Sequence, residues 1–155
     1  MRKILLIIPF CLLVSNGYSQ GKVMEVGEEL KYKVYFGFIP LGEGTFKVNT
    51  TYTENKKNHY SAKAQIKSED DIPFVNVNYI FESVMVADEL DGQKRIYSEK
   101  FTSSEFKDKT ITATEYDFDY KERHIKVQVD KDGMNVEEFK TVPIDSNTYF
   151  QDGLS

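Results

Sequence analysis

The chain has 155 residues, a formal net charge of −5, ten Tyr and eleven Phe but no Trp, and a single cysteine, Cys11. That is one domain's worth of chain, long enough to bury a real core. Its acidity repels nucleic acid and anionic lipid head groups, and one cysteine excludes a disulfide framework or a Cys-ligated metal.

At the N-terminus, Arg2 and Lys3 form a short basic stretch, followed by the uncharged, almost wholly apolar run from Ile4 to Val14. Ser15 and Asn16 turn polar, and Gly17-Tyr18-Ser19 sets small residues where a signal peptidase reads. This three-part pattern predicts a cleavable secretory signal over residues 1–19, cut between Ser19 and Gln20. A membrane-spanning helix needs about 20 apolar residues, and this run is shorter. Cleavage removes Cys11 and two positive charges, so the mature domain, residues 20–155, carries no thiol and a net charge of −7. The expected location is periplasmic or extracellular, with no membrane span after signal cleavage.

Period-two alternation, the signature of strands wetted on one face, recurs from residue 30. Leu30, Tyr32, Val34 and Phe36 alternate with Lys31, Lys33 and Tyr35. Phe46, Val48, Thr50 and Tyr52 form a second such series, and Tyr60, Ala62, Ala64 and Ile66 a third. Similar stretches follow from Ile80 to Asp88, Arg95 to Phe106, Thr110 to Tyr120, His124 to Val129 and Met134 to Val142. Glu54 to Asn58 reads as a polar turn, and Asp91-Gly92 and Asp132-Gly133 as hairpin dipeptides. A short helical turn after Pro73, leading into a strand near Ile80, is the one helical expectation. The predicted fold is mainly β: an antiparallel curved sheet, sandwich or incomplete barrel, with at most one short helix.

The segment Gly27-Glu28-Glu29-Leu30-Lys31-Tyr32-Lys33-Val34-Tyr35-Phe36-Gly37-Phe38-Ile39-Pro40-Leu41-Gly42-Glu43-Gly44 combines Gly-Glu, an alternating strand, a Gly-x-Ile-Pro-x-Gly turn and a second strand. It resembles the N-terminal signature of the bacterial exported family called domain of unknown function 3108. Phe81, Glu82, Ser83 and Asp88 fit the same order, as do Val142-Pro143 and Asp152-Gly153-Leu154-Ser155, which resemble the family's Asp-x-Leu-Ser element. The resemblance implies an extracytoplasmic, mainly antiparallel β protein and no defined activity. In the family that last element opens a helix and further strands follow. Here Asp152 is expected as an N-cap, and the domain as a form truncated at its C-terminus.

No catalytic, cofactor-binding or metal-binding residue is assigned, and no enzyme activity is expected. His59 and His124 lack the companion ligands a metal requires and are read as solvent-facing strand residues. Asp117 and Asp119 share a strand face and are the best carboxylate pair for a cation or a sugar, the requirement of a carboxylate hydrolase. Asp130-Lys131-Asp132-Gly133 opens like a calcium loop but lacks its later ligands, so turn chemistry accounts for it. None of Ser61, Ser68, Ser83, Ser98, Ser103 or Ser104 lies in a nucleophile elbow. Asn49-Thr50-Thr51 matches a glycosylation sequon without consequence in most bacteria.

The apolar turn Gly37-Phe38-Ile39-Pro40-Leu41-Gly42 stands out, since Phe38, Ile39 and Leu41 call for burial. Its default reading is a plug folded over the open end of the sheet; the other is a lip for an apolar ligand or a partner. Two functions follow. The first is a cell-envelope protein binding an apolar or lipid-like small molecule on a concave face carrying Tyr32, Val34, Phe36, Phe46 and Val48. The second is a structural or assembly protein acting through contacts with another envelope protein.

Overall fold

A computed structural model describes residues 24–70, 72, 75–90, 93–135 and 140–154. The predicted signal peptide, the cleavage point, Pro73 and Asp91-Gly92 lie outside these residues. Among the described residues nine strands follow in chain order. They are β1 (Glu29–Phe36), β2 (Ile39–Glu54), β3 (Lys57–Ser68), β4 (Asn78–Leu90), β5 (Gln93–Lys107), β6 (Thr110–Asp119), β7 (His124–Lys131), β8 (Met134–Asn135) and β9 (Lys140–Pro143). Each pairs antiparallel with its sequence neighbour from β1 to β8, and β9 returns to pair with β7. The result is one curved meander that does not close on itself, as the alternation predicted.

Turn chemistry sets the register. Asn55 and Lys56 both have positive φ, and so do Asp132 and Gly133, which makes two-residue turns whose twist matches that of the strands they join. Asp132 also accepts the Ile111 N–H on its carboxylate at 2.8 Å, which ties the β7–β8 hairpin to β6. No helix occurs among the described residues. Residues 75–77 run as coil where the helical turn was expected to continue. Their backbone is recruited by the sheet instead: Ser68 donates its N–H to the Val77 carbonyl at 2.8 Å, and the Val77 N–H returns to Ser68 Oγ at 3.1 Å.

The Gly37–Gly44 stretch is not a connection. The turn is Gly37-Phe38 alone, with Gly37 at φ +62° in the first central position, as a type II′ hairpin requires. From Ile39 onward the chain is already β2, and Phe36 pairs with Ile39. The plug reading therefore fails. Phe38 is 91% exposed and Phe36 75% exposed at the tip of a projecting hairpin. A two-residue turn is too short to fold back over the sheet.

The two faces of the sheet differ as the alternation requires. On the outer face Lys63 stands opposite Glu82 and pairs with it at 3.2 Å, and Lys100 meets Glu115 at 2.8 Å. On the inner face Val48, Ala62 and Met85 are buried, joined by Ser83 and Ser98. The segment from residue 144 to 154 completes this core and also covers the opposite face at Tyr97, whose buried register partner Val86 points away from Met85. Ile144 is buried, Phe118 meets Phe150 at 6.0 Å, and Tyr149 packs on Tyr97 and Tyr120 at 4.8 and 4.9 Å. This segment bonds to β5 where β6 has ended: Ser98 N–H to the Phe150 carbonyl at 2.8 Å, and Gln151 Nε2 to the Ile96 carbonyl at 3.1 Å. The core fills one part of the inner face and leaves another part open.

Candidate functional site

The open part is a trough of about 850 Å³. Its walls are large apolar side chains: Leu30, Tyr32 and Val34 from β1, Phe46 from β2, Phe81 from β4 and Phe101 from β5. Its floor is made of small residues, Gly42, Gly44, Ala64 and Ser68, which leave the space between those walls empty. Register places them on one face. Leu30 pairs with Phe46, Phe46 with Ala64 and Ala64 with Phe81, so four consecutive strands contribute one transverse row. Stacked rings continue it, with Phe81 on Tyr79 at 5.9 Å and on Phe101 at 6.1 Å. Such rows stabilise the sheet and also present a continuous apolar wall.

Two glycines of the floor have different causes. Gly42 lies at a β-bulge, where Val34 pairs with Gly42 and Tyr35 with Pro40, leaving Leu41 unpaired. A Cβ on Gly42 would come within 2.4 Å of the Lys67 carbonyl oxygen and 2.9 Å of Ser68 Cα, so the backbones of β2 and β3 are too close for any side chain. A Cβ on Gly44 would meet nothing nearer than the Gln65 carbonyl oxygen at 3.9 Å. Gly44 is thus sterically free to carry a side chain, and its absence leaves room between Tyr32 and Ile66, its two register partners.

One end of the trough is bounded by Gly153 and Leu154. Asp152 holds them there. It accepts the Ser83 hydroxyl proton on one carboxylate oxygen at 2.5 Å and the Leu154 N–H on the other at 2.7 Å, and its own N–H goes to Ser98 Oγ at 2.8 Å. The Asp152 bond to the Leu154 N–H closes a local turn, and no helix follows it among the described residues. Ser83, one of the residues that carry the resemblance, and Ser98 are its buried anchors.

Of the residues named for the concave face, Tyr32, Val34 and Phe46 line the trough. Val48 does not, because it is fully buried in the core, and Phe36 does not, because it stands at the exposed hairpin tip. Leu41, Val75 and Val77 line the trough without having been named for it. The signal for Leu41 was the apolar stretch itself; Val75 and Val77 belong to the alternating series Val75, Val77, Tyr79, Phe81, and they reach the site from the β3–β4 connection.

No protein-family model, curated protein or solved structure matches this chain.

The polar candidates do not converge on the trough. His59 is not solvent-facing: it is 6% exposed, stacked on Tyr52 at 4.8 Å, with Nδ1 3.2 Å from the Glu99 carboxylate but out of hydrogen-bond alignment. The bulges in β2 and in the β4–β5 ladder shift the alternation there, and Tyr52 becomes its direct partner. His124 is half-buried, with Nδ1 3.4 Å from the Glu122 carbonyl. Asp117 is exposed beside register partners Lys100 and Lys126. Asp119 caps the following turn, accepting the N–H groups of Glu122 and Lys121, which hold its carboxyl below the usual range. The two aspartates therefore do not face a shared cleft. Among the described residues no group of His, Cys, Asp or Glu is arranged to hold a metal ion, and no helix is long and apolar enough to cross a membrane.

Away from the trough, Lys57 Nζ meets the Asp88 carboxylate at 2.7 Å and the Tyr97 hydroxyl at 3.1 Å. The Asp88 bond is the largest cause of the raised Lys57 pKa, and the Lys57 bond the largest cause of the lowered Asp88 pKa. Arg123 donates to the carbonyls of Asp145 and Thr148 and lies over the rings of Tyr120 and Tyr149. Both clusters fasten the core half of the sheet.

Proposed function

We propose that this chain is an exported cell-envelope protein that binds an apolar, lipid-like ligand in the trough between β1–β5 and the residue 144–154 segment. The observation that carries this reading is the trough's construction: large apolar walls around a floor of small residues, left open on a sheet whose other half is packed. Folding alone favours filling such a space, because apolar surface left in water forfeits about 25 cal/mol per Å². Gly44 makes the point at one position, since a larger residue would fit there. The N-terminal charge and hydropathy pattern supports export, and the resemblance of residues 27–44 to the exported family belongs to the same proposal.

The test is native mass spectrometry of the protein recovered gently from the envelope of an exporting bacterial host, together with titration by the apolar dye N-phenylnaphthylamine. The expected result is a stoichiometric apolar adduct and saturable dye fluorescence, both lost in Gly44→Phe, whose ring would occupy the trough between Tyr32 and Ile66. A ligand-free mass combined with dye binding unchanged by Gly44→Phe would overturn the reading.

A further inference from the structure

The hairpin tip is a second exposed apolar surface. From Val34 to Gly42 the chain runs nine residues without a charged side chain, and the structure places these residues at the projecting end of β1 and β2. Phe36 and Ile39 form the last rung of the ladder, and Phe38 crowns the turn. Tyr35 and Phe36 are successive strand residues and so point to opposite faces, yet they are 54% and 75% exposed. Ile39 is 49% exposed. The tip is therefore apolar on both faces and at its apex. The first charged rung below it is Lys33 opposite Glu43.

We infer that this tip docks the protein on a lipid bilayer by inserting Phe36, Phe38 and Ile39 into the interface. A protein groove would cover one face of a hairpin and leave the other in water. A bilayer surrounds an inserted tip on every side, which is what an apolar surface on both faces and the apex requires. The dimensions agree. At about 3.3 Å per residue, the Lys33–Glu43 rung lies roughly 10–15 Å below the apex, so shallow insertion of about 5–10 Å leaves those charges among the head groups. The type II′ turn and the Phe36–Ile39 rung satisfy backbone groups within the hairpin, which favours entry into a medium poor in hydrogen-bond partners. Net charge of −5, or −7 for residues 20–155, means that the attraction does not come from anionic lipid. The surface recognised is a zwitterionic bilayer. Val34 and Leu41, just below the tip, line the trough, so docking brings the trough's near end to the membrane. Only that consequence rests on the ligand-binding reading; docking itself does not.

The chain has no Trp, so Phe38→Trp installs a unique reporter at the apex. Glu54→Trp installs one at the opposite end of β2, roughly 50 Å away at about 3.3 Å per residue. With phosphatidylcholine vesicles, the Phe38→Trp emission should shift to shorter wavelength and be quenched by brominated acyl chains, while the Glu54→Trp emission stays unchanged. Phe38→Asp, at a site open to solvent, should lower partitioning in a flotation assay by roughly tenfold or more, from the loss of one buried aromatic side chain. Any contribution from the N-terminal apolar run is common to both chains and cancels in this comparison. Apex emission that vesicles do not shift, or equal flotation of the unaltered protein and Phe38→Asp, would overturn the inference and leave the tip to a protein partner. Gly44→Phe should float like the unaltered chain, which keeps failure of the ligand reading distinguishable from failure of docking.

Discussion

Gly42 and Gly44 stand two residues apart on the same strand, and the structure assigns their alanine variants opposite signs. At Gly42 the added carbon meets the Lys67 carbonyl oxygen at 2.4 Å and Ser68 Cα at 2.9 Å, both backbone atoms in a paired strand. Relief requires β2 and β3 to separate by roughly 0.5–1 Å, which lengthens the hydrogen bonds beside the bulge. Overpacking of this kind costs about 1–3 kcal/mol. Reduced entropy of the unfolded chain returns only about 0.4–1 kcal/mol. Gly42→Ala should therefore destabilise by roughly 1–2 kcal/mol. At Gly44 the nearest atom is an ordinary contact at 3.9 Å, so only the entropic term remains and Gly44→Ala should stabilise by about 0.4–1 kcal/mol. Urea unfolding followed by far-ultraviolet circular dichroism measures both, and the midpoints should fall on either side of that of the unaltered chain. If Gly42→Ala proves as stable as Gly44→Ala, the close approach of β2 and β3 is absent in solution, and the account of the bulge is wrong.

Asp152→Ala should destabilise by about 1–3 kcal/mol, because Ser83, 2% exposed, loses the acceptor of its hydroxyl proton. Unfolding midpoints and protease sensitivity across residues 144–154 would show this, and unchanged values for both would mean that the bond does not hold the segment. Tyr120 has its pKa pushed up to about 12, chiefly by burial, with its hydroxyl donated to the Ser98 carbonyl at 2.7 Å. A raised folded pKa means that its contribution is fully present below the unfolded value near 10 and is lost as pH rises through about 12. Tyr120→Phe should thus be less stable at neutral pH, with the gap narrowing between about pH 10 and 12 in parallel urea titrations. A gap independent of pH would show that this hydroxyl does not titrate with unfolding.

The strands were legible because alternation and turn dipeptides are local: Leu30 to Phe36 carries its own period, and Asp132-Gly133 its own turn. The apolar walls Tyr32, Val34 and Phe46 followed from the same period. What stayed hidden depends on register. His59 reads as a polar strand residue until the bulges in β2 and β5 reset the pattern and bring Tyr52 against it. The emptiness of the trough depends on Gly44 and Ala64 falling on the same face of adjacent strands, and on the residue 144–154 segment covering only part of that face. Nothing near Ser83 or Ser98 announces that Asp152 joins them. The segment after Gly37 misled because Pro40 and Gly42 are loop residues by composition, whereas a bulge beside β1 accommodates both.

The Ser83–Asp152 bond spans 69 residues, while every strand pair from β1 to β8 joins sequence neighbours. Two assembly regimes follow within one domain. The meander closes only short loops and can form hairpin by hairpin as the chain emerges, a route that favours speed. The core half cannot finish until residues 144–154 arrive, since Ile144, Tyr149 and Phe150 supply part of its packing. During synthesis the sheet therefore passes through a stage with registered strands, an uncovered Tyr97 and Phe118, and buried serines still without Asp152. Apolar surface bared at that stage invites association, and the time spent there is set by delivery of residues 144–154 rather than by the pairing of strands.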